Sequence, residues 1–357
     1  MKKVILIFFI LLNFQVFSQD RDSLYQNAFT KLTEMLEGKR EINFKKAVFT
    51  VENAYLLGEL DTIRFNKQIN FLKNLAIRIN QQAKLDYQGS DKETVSKYAS
   101  IFSVLKDSIP LINQKNELFV HTPFTYDFED VFGHTHWNNM LVSKLLETHN
   151  GNCHSLPYLY KILAEELGVT AHLALSPNHI YIKHRSEKNG WYNTELTSGI
   201  FPIDAWLMAS GYIHLDAIVN GVFMKALTEK ESIALCLVDL AQGYQKNELY
   251  DIDFVIKCAD KAMEYFPNYV NAMIVKTEAK GKKIEDYLFT HNADFTSVNK
   301  FPTTRKLLLE IQSELTIIHE LGYRQMPEDM YLNWLTSLKE EKNKYANKKI
   351  NTFTKPN

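Results

Sequence analysis

The chain is poor in cysteine and in the residues that interrupt regular structure. Its 357 residues include 3 cysteines, 9 prolines and 13 glycines. So few turn-forming residues favour long helices over a strand-rich fold. An odd number of cysteines does not make a disulfide framework, although Cys236 and Cys258 could pair. The formal net charge is −1, so the chain lacks the excess of basic residues that is typical of nucleic-acid-binding proteins. We therefore predict no nucleic-acid partner.

Motifs of several large enzyme classes are also missing. The chain has no glycine-rich phosphate loop, no dinucleotide fingerprint, no Gly-x-Ser-x-Gly elbow, no His-Glu-x-x-His and no Cys-x-x-Cys pair. A zinc site could combine His134 and His136 with one of His154, His172 or His184. No acidic ligand stands at close spacing to them. We therefore predict neither a metal nor a cofactor.

One long apolar run stands at the N-terminus, and no later segment could span a bilayer. Lys2-Lys3 precedes an apolar stretch from Val4 to Phe17, and Ser18 supplies a small residue for cleavage. The stretch is shorter than the roughly 20 residues of a membrane span. We predict a signal peptide over 1–19 and an exported protein, periplasmic or extracellular, without a membrane span after cleavage. An uncleaved N-terminal anchor is the alternative.

Helical periodicity covers both ends of the chain, and a mixed segment lies between them. Apolar residues recur at helical spacing within 20–115 and again within 229–345. Residues 116–228 contain a well-patterned helix followed by three strand candidates, and residues 346–357 form an unpatterned basic tail. We predict an α+β fold. Its core over 116–228 places a helix with an N-terminal cysteine on a small antiparallel sheet, flanked by helical regions.

The helix of this core begins next to a cysteine. Apolar residues follow at helical spacing, namely Leu156, Leu159, Tyr160, Leu163, Ala164 and Leu167. Gly168 suits the position just after the helix, and Gly151 permits a tight entry of the chain into it. A helix N-terminus lowers a thiol pKa and offers N–H groups to an oxyanion. Cys153 is therefore a candidate nucleophile; the alternative is a buried, inert cysteine.

A hairpin after this helix brings an imidazole and a carboxylate together. Strand patterns cover 169–175, 179–185 and 191–196, with a polar turn between the last two. A turn centred near Glu187 pairs residues whose numbers sum to 374, so that His179 faces Glu195. Those are the base and the orienting acid that a thiol nucleophile needs.

One other register, a fallback partner and an ordinary role stay open for this hairpin. A slip of one residue would place Thr194 opposite His179, on the other face of the strand. Asn193 is a fallback partner, two residues from Glu195 on the same side. His179 and Glu195 could also form a plain cross-strand surface pair.

A weak repeat follows in the C-terminal helical region. Four residues have the offsets of a tetratricopeptide unit: Gly243, Ala259, Ala262 and Pro267. The unit is followed by only part of a second one, so a helical hairpin packed on the rest of the protein is as good an interpretation as a groove for a protein partner.

The stretch from Asn139 to Thr197 resembles the transglutaminase-like superfamily of papain-type folds, and is similar to its branch named after the SirB1 N-terminal domain. The matching motifs are Gly151-Asn152-Cys153, Ser155-Leu156 through Leu167-Gly168, Asn178-His179, and Trp191 with Glu195-Leu196-Thr197. The resemblance covers about 60 residues. In the family the acid is usually aspartate, whereas this chain has glutamate. Tetratricopeptide-like helices also accompany this branch.

The resemblance implies a Cys153–His179–Glu195 triad, and we name Asn139, Asn178, Trp191 and Asn193 as supporting candidates. It implies acyl chemistry on an amide bond of a peptide or protein substrate. The acyl group would pass to water, as in a cysteine peptidase or amidase, or to an amine. The alternative is an inactive module that binds a peptide or a protein partner.

Overall fold

The structure is a computed structural model that describes residues 21–112, 115–209, 212–249, 251–337 and 340. The signal peptide predicted over 1–19 and the tail predicted over 346–357 lie outside these residues. Within the described part the fold is mixed α+β, 59% helical with small sheets. No helix there is long and apolar enough to cross a membrane.

Helices and strands alternate only in the middle of the chain. The helices are α1 (21–36), α2 (Phe44–Tyr55), α3 (Thr62–Gln82), α4 (Lys92–Lys106), α5 (Val142–Thr148), α6 (Ser155–Glu166), α7 (Asp204–Met208), α8 (Leu215–Val219), α9 (Glu229–Lys246), α10 (Ile252–Tyr265), α11 (Val270–Thr290), α12 (Pro302–Glu320) and α13 (328–337). The strands are β1 (Ile109–Ile112), β2 (Leu118–His121), β3 (Thr125–Tyr126), β4 (Asn150–Gly151), β5 (His172–Ser176), β6 (His179–Ser186) and β7 (Gly190–Thr194).

The chain forms two compact units, each built from two separate stretches of sequence. One extends to Asp61 and resumes over Thr228–Glu320; the other comprises Thr62–Leu227 and the chain from Leu321 onward. The division expected from the sequence, with boundaries near 115 and 228, follows the chain linearly. The structure instead groups α3, α4 and α13 with the strands, because helices distant in sequence supply part of the same core.

The first unit is a set of packed helices. Its long helix α9 begins with a capping box, in which the Thr228 side chain and the Glu231 side chain each bond the other's backbone N–H. Gly243 of α9 lies against the Tyr55 ring of α2, so this small residue of the predicted repeat lets α2 approach closely. Cys236 and Cys258 are both buried as free thiols, and the disulfide that the sequence left open is not formed.

The second unit is built around α6. The helix is buried on every side from Ser155 to Ala164 and packs against α3, α4, α5, β5 and β6. Even Lys161 is buried, and its ammonium group donates to the Ala171 carbonyl at 3.0 Å. A helix that is covered all round forms the centre of its unit rather than a surface layer. The residue at its N-terminus is consequently held from several directions.

A three-stranded antiparallel sheet, in the order β5-β6-β7, packs on α6. The strand predicted from Val169 begins later, at His172, because α6 ends in a Schellman motif. The Val169 N–H donates to Ala164 and the Gly168 N–H donates to Glu165, both at 3.0 Å. Gly168 adopts φ 67°, as its predicted place after the helix requires.

The glycine that ends α6 provides a test of this local account. We expect Gly168→Ala to lower the free energy of unfolding by about 1 kcal/mol, because alanine is strained at positive φ although no neighbouring atom would touch its methyl group. Gly281→Ala is the control, since this glycine lies in open space inside α11 and alanine should stabilise the helix by up to about 1 kcal/mol. Urea denaturation measures both. Equal effects of the two substitutions would contradict the account.

Candidate functional site

Cys153 lies in the turn that leads into α6, and Asn152 shapes that turn. The Asn152 side-chain oxygen accepts the N–H groups of His154 and Ser155 at 3.0 and 3.2 Å, and its own N–H donates to the Ser155 hydroxyl at 3.1 Å. These reciprocal bonds have the pattern of a capping box, although the residue that directly precedes α6 is His154. It uses the first N–H groups of the helix, whereas the Cys153 N–H has no acceptor among the described residues.

Glycine at 151 is required by close packing. A Cβ atom there would stand 2.3 Å from the Ser155 hydroxyl oxygen and 2.9 Å from the Leu145 side chain. Ser155 cannot easily move, because its hydroxyl donates to the Asn139 carbonyl at 3.0 Å. The sequence therefore fixes the thiol through Gly151, through the Asn152 cap and through Ser155. Asn152 was not among the predicted supporting residues, although Asn followed three residues later by Ser is a capping pattern.

His179 and Glu195 meet in the buried interior of the sheet. The Nε2 atom of His179 is hydrogen-bonded to the Oε2 atom of Glu195. The second carboxylate oxygen accepts the Thr197 N–H at 2.6 Å. The Glu195 backbone is held as well, by reciprocal hydrogen bonds of 2.9 and 3.0 Å with Ile200. Both ends of the carboxylate are thus occupied, which fixes its direction toward the imidazole.

The predicted register of this hairpin is wrong by two residues. Lys183 pairs with Asn193 and Ser186 with Gly190, so paired numbers sum to 376 instead of 374. The turn is centred one residue later than expected, between Ser186 and Gly190. An even shift keeps His179 and Glu195 on one face, as diagonal rather than directly opposed neighbours. The glutamate, one methylene longer than aspartate, spans that diagonal.

A tight turn places His179 at the start of β6. Ser176 pairs with His179 across Pro177-Asn178, and Asn178 adopts φ 57°. Proline followed by a residue of positive φ suits a two-residue turn. The Cys153 sulfur lies 3.6 Å from the Asn178 carbonyl oxygen, so the same turn faces both the thiol and the imidazole.

The thiol interacts electrostatically with the imidazole, and a tyrosine hydroxyl lies beside the imidazole. Cys153 interacts with the His179 charge and with Tyr331. The Tyr331 hydroxyl lies 3.0 Å from His179 Nδ1 and 3.3 Å from the Tyr126 hydroxyl. Tyr126 belongs to β3 and Tyr331 to α13. Sequence reasoning missed both, because nothing in their local pattern distinguishes them from core tyrosines.

Burial and pairing shift the three triad groups in compatible directions. Burial raises the pKa of the Cys153 thiol, but its interaction with His179 and the positive charge there outweigh burial and lower that pKa overall. Burial lowers the pKa of His179, yet the Glu195 charge and the interaction with Cys153 raise it overall. Burial likewise opposes ionisation of Glu195, and His179 lowers its pKa. Each shift favours the charged form of its group: the thiolate, the imidazolium and the carboxylate.

The other predicted supporting residues differ in their relation to the site. Asn139 holds the entry to α6, where its amide donates to Asp127 at 3.1 Å and its carbonyl accepts from Ser155. Asn193 does not reach His179; its amide donates to Asp204 at 2.7 Å and to the Pro202 carbonyl at 3.0 Å.

Trp191 also lies away from the thiol. It is 49% exposed and packs edge-on against His172 at 5.4 Å. The structure thus brings Asn139 and Asn178 to the site, but not Asn193 and Trp191.

The histidines considered as zinc ligands each contact a different protein group. His134 contacts Glu328, and His154, His172 and His184 bond to Met140, Leu227 and Thr194 respectively. Among the residues that the structure describes, no three His, Cys, Asp or Glu side chains form a group that could hold a metal ion.

The charge pairing predicts a pH profile for the thiol. We expect the rate of Cys153 alkylation by iodoacetamide to reach its midpoint below the ordinary thiol pKa of ~8.5. In His179→Ala the midpoint should rise to ~8.5 or above, because burial then acts unopposed. His184→Ala is the control, since burial lowers the pKa of this buried histidine on the same strand to about 3 and keeps it neutral. Identical midpoints in all three proteins would exclude the thiolate–imidazolium pair.

Comparison with known proteins finds no relative of this chain. No protein-family model matches the chain, and no curated protein and no solved structure matches it. The chemistry of the site is therefore inferred from three groups: the thiol of Cys153, the imidazole of His179 and the carboxylate of Glu195.

Proposed function

We propose that this protein is an exported thiol enzyme that acts on amide bonds through Cys153, His179 and Glu195. One observation carries the proposal. A buried carboxylate is hydrogen-bonded to an imidazole that interacts with the thiol at the entry to a buried helix. A thiol needs a base to become a nucleophile, and the base needs a third group to orient it. Three ordinary core residues have no reason to be charged and paired in this order.

The reaction would proceed in two balanced steps. The Cys153 sulfur forms a bond to the amide carbon. Because Nε2 is held by Glu195, the Nδ1 proton of the His179 imidazolium passes to the leaving amine as the carbon–nitrogen bond breaks. The neutral imidazole then takes a proton from water or from an acceptor amine. The oxygen of the water or the nitrogen of the amine attacks the thioester carbonyl, and the sulfur leaves as the thiolate. Glu195 keeps the ring oriented and stabilises its charged form throughout.

The Cys153 N–H is the group best suited to the negative oxygen of the intermediate. It stands beside the sulfur and has no acceptor among the described residues, whereas the Asn152 side chain occupies the next two N–H groups. An unpaired donor at the place where charge develops is what an oxyanion site requires. Of the N–H groups at the start of the helix, the Cys153 N–H is thus the one that we assign to the oxyanion.

The arrangement supports a transglutaminase-like core. A cysteine at the start of a central helix, a histidine at the start of a sheet strand and an acid just beyond the next strand is the order that the family resemblance implies. Glutamate replaces the usual aspartate, and the diagonal register accounts for the longer side chain. Hydrolysis is the preferred outcome, because water is always present as an acceptor; transfer to an amine uses the same residues.

A second function is favoured by one observation. Cys153 is 8% exposed and His179 is 3% exposed, so neither side chain is open to solvent. A module that binds a peptide or a protein partner without chemistry would be compatible with such a closed thiol. The two functions differ in whether Cys153 forms a thioester.

Acylation by a small donor distinguishes them. We expect p-nitrophenyl acetate to acetylate Cys153 in the full chain, as measured by intact mass, and the acetyl group to leave with time. His179→Ala should slow acetylation by about 10²-fold, the usual contribution of a general base. Asn193→Ala is the control, since its amide on the neighbouring strand bonds to Asp204 and does not contact the imidazole.

Added monodansylcadaverine identifies the acceptor. Loss of acetyl to water indicates hydrolysis, and its appearance on the amine indicates transfer. If Cys153→Ala is acetylated at the wild-type rate, or if no protein is acetylated, the enzymatic proposal is wrong and the binding module is the better account.

A further inference from the structure

The last described stretch of the chain lies directly on the triad. The Asn178 side-chain amide donates to the Met326 carbonyl at 2.8 Å. Five residues later, the Tyr331 hydroxyl lies 3.0 Å from His179 Nδ1 and interacts with Cys153. Trp334 packs edge-on against the His179 ring, with the ring centres 5.2 Å apart. We call residues 323–337 the covering segment.

The covering segment lies over the triad, and the residues that contact it are buried. Tyr331 and Leu335 are fully buried, and Met326 is nearly so. The thiol beneath them is out of reach of a polypeptide, because an amide carbon must come within bonding distance of sulfur. Since the triad is assembled and charged under this cover, its reaction with any polypeptide requires the segment to leave.

The contacts of the covering segment are those that a polypeptide substrate would make. Residues 323–327 have neither helical nor strand structure, and the Met326 carbonyl is bound by a side-chain amide. That amide belongs to Asn178, whose own carbonyl faces the Cys153 sulfur. The segment thus presents main chain next to the nucleophile.

The Tyr331 hydroxyl occupies a point that a substrate group would take. It lies 3.0 Å from His179 Nδ1 and 3.3 Å from the Tyr126 hydroxyl, and it interacts with Cys153. Burial and the nearby Cys153 charge raise the pKa of Tyr331, so the hydroxyl stays protonated. A substrate group at this point, beside Nδ1, would be the leaving amine that takes the imidazolium proton.

We propose that the groove beneath residues 323–337 is the substrate groove, that these residues occupy it in the resting protein, and that a polypeptide replaces them there. This inference rests on the proposed function and names its substrate class and its regulation. Asn178 would hold the substrate main chain. The Phe132 ring, which now packs on Tyr331, would line the groove for a large apolar side chain. The Trp206 carbonyl, which now accepts from the Trp334 indole at 3.4 Å, would accept from a substrate donor.

The attachment of the covering segment is uneven, which makes release from one end feasible. At its start, the Leu321 carbonyl accepts from Asn220 at 3.3 Å, and Gly322 adopts φ 86° so close to Ala217 that a Cβ atom would lie 2.6 Å from the Ala217 nitrogen. This point is fixed. Further along, a surface ion pair of 2.8 Å joins Glu328 to His134, and such exposed pairs contribute little. Gly322 is therefore the natural hinge.

A bulky thiol reagent, used on the full chain, tests whether the covering segment blocks access to Cys153. We expect Tyr331→Ala to accelerate labelling of Cys153 by fluorescein maleimide by at least about tenfold, because removal of a fully buried ring favours local opening. Leu332→Ala is the matched control, since this neighbour on α13 is 39% exposed and should leave the rate unchanged. Tyr331→Phe keeps the ring and loses the hydrogen bonds of the hydroxyl to His179 and Tyr126. It should give a smaller acceleration, and it replaces the alanine variant if that variant does not fold.

A peptide supplied in trans tests occupancy of the groove. A synthetic peptide of residues 321–337 should slow the labelling of the Tyr331→Ala protein, and the same peptide carrying Tyr331→Ala should not. If folded Tyr331→Ala and Tyr331→Phe proteins label at the wild-type rate, or if the peptide gives no protection, the proposal is overturned.

Iodoacetamide is a small reagent that reports on the thiol itself. It therefore distinguishes failure of the covering-segment proposal from failure of the proposed function. A low pH midpoint with iodoacetamide, together with no effect of Tyr331 on the maleimide, rejects the cover alone. An ordinary midpoint near ~8.5 in every protein rejects the triad as well.

Discussion

The hydrogen-bonded pair of His179 and Glu195 is the interaction on which the rest of the site depends. Two ionised groups removed from water are stable only when each is paired and its remaining hydrogen-bonding capacity is satisfied. Here the carboxylate is satisfied by His179 and by the Thr197 N–H, and the imidazolium by Glu195 and the Tyr331 hydroxyl. The charge held on the imidazole is what lets the buried thiol ionise. Without the carboxylate, burial would leave both groups neutral.

The fold supplies this pair with two fixed neighbours from distant parts of the sequence. The helix α6, buried on all sides, holds the thiol, and the Asn152 cap leaves the N–H beside it unpaired. The segment that follows Leu321 returns to the same compact unit and places the Tyr331 hydroxyl 3.0 Å from His179 Nδ1. Under the proposed function, a thiol that is both charged and covered would react with a polypeptide only after this segment leaves.

The sequence predicted the local parts of this account because they depend on neighbouring residues. Gly168 ends α6 as expected, and the Pro177-Asn178 turn places His179 at the start of a strand. The hairpin register could not be predicted, because the polar turn of residues 186–190 admits two centres that give the same alternation of faces. Asn152 had a capping pattern that sequence reasoning passed over. Tyr331 had none, since its contact with His179 arises from packing across 152 residues of chain.

The protonation state of His179 tests the central claim most directly. Protein labelled with ¹⁵N-histidine, compared by NMR with His179→Ala, isolates the signals of the two ring nitrogens of this residue. The account predicts that both nitrogens carry protons at pH 8, where an ordinary histidine with a pKa of ~6.5 is neutral, and that Cys153→Ala and Glu195→Gln each reduce that protonated fraction. A ring that titrates near ~6.5 in the wild-type protein would contradict the buried thiolate–imidazolium–carboxylate arrangement.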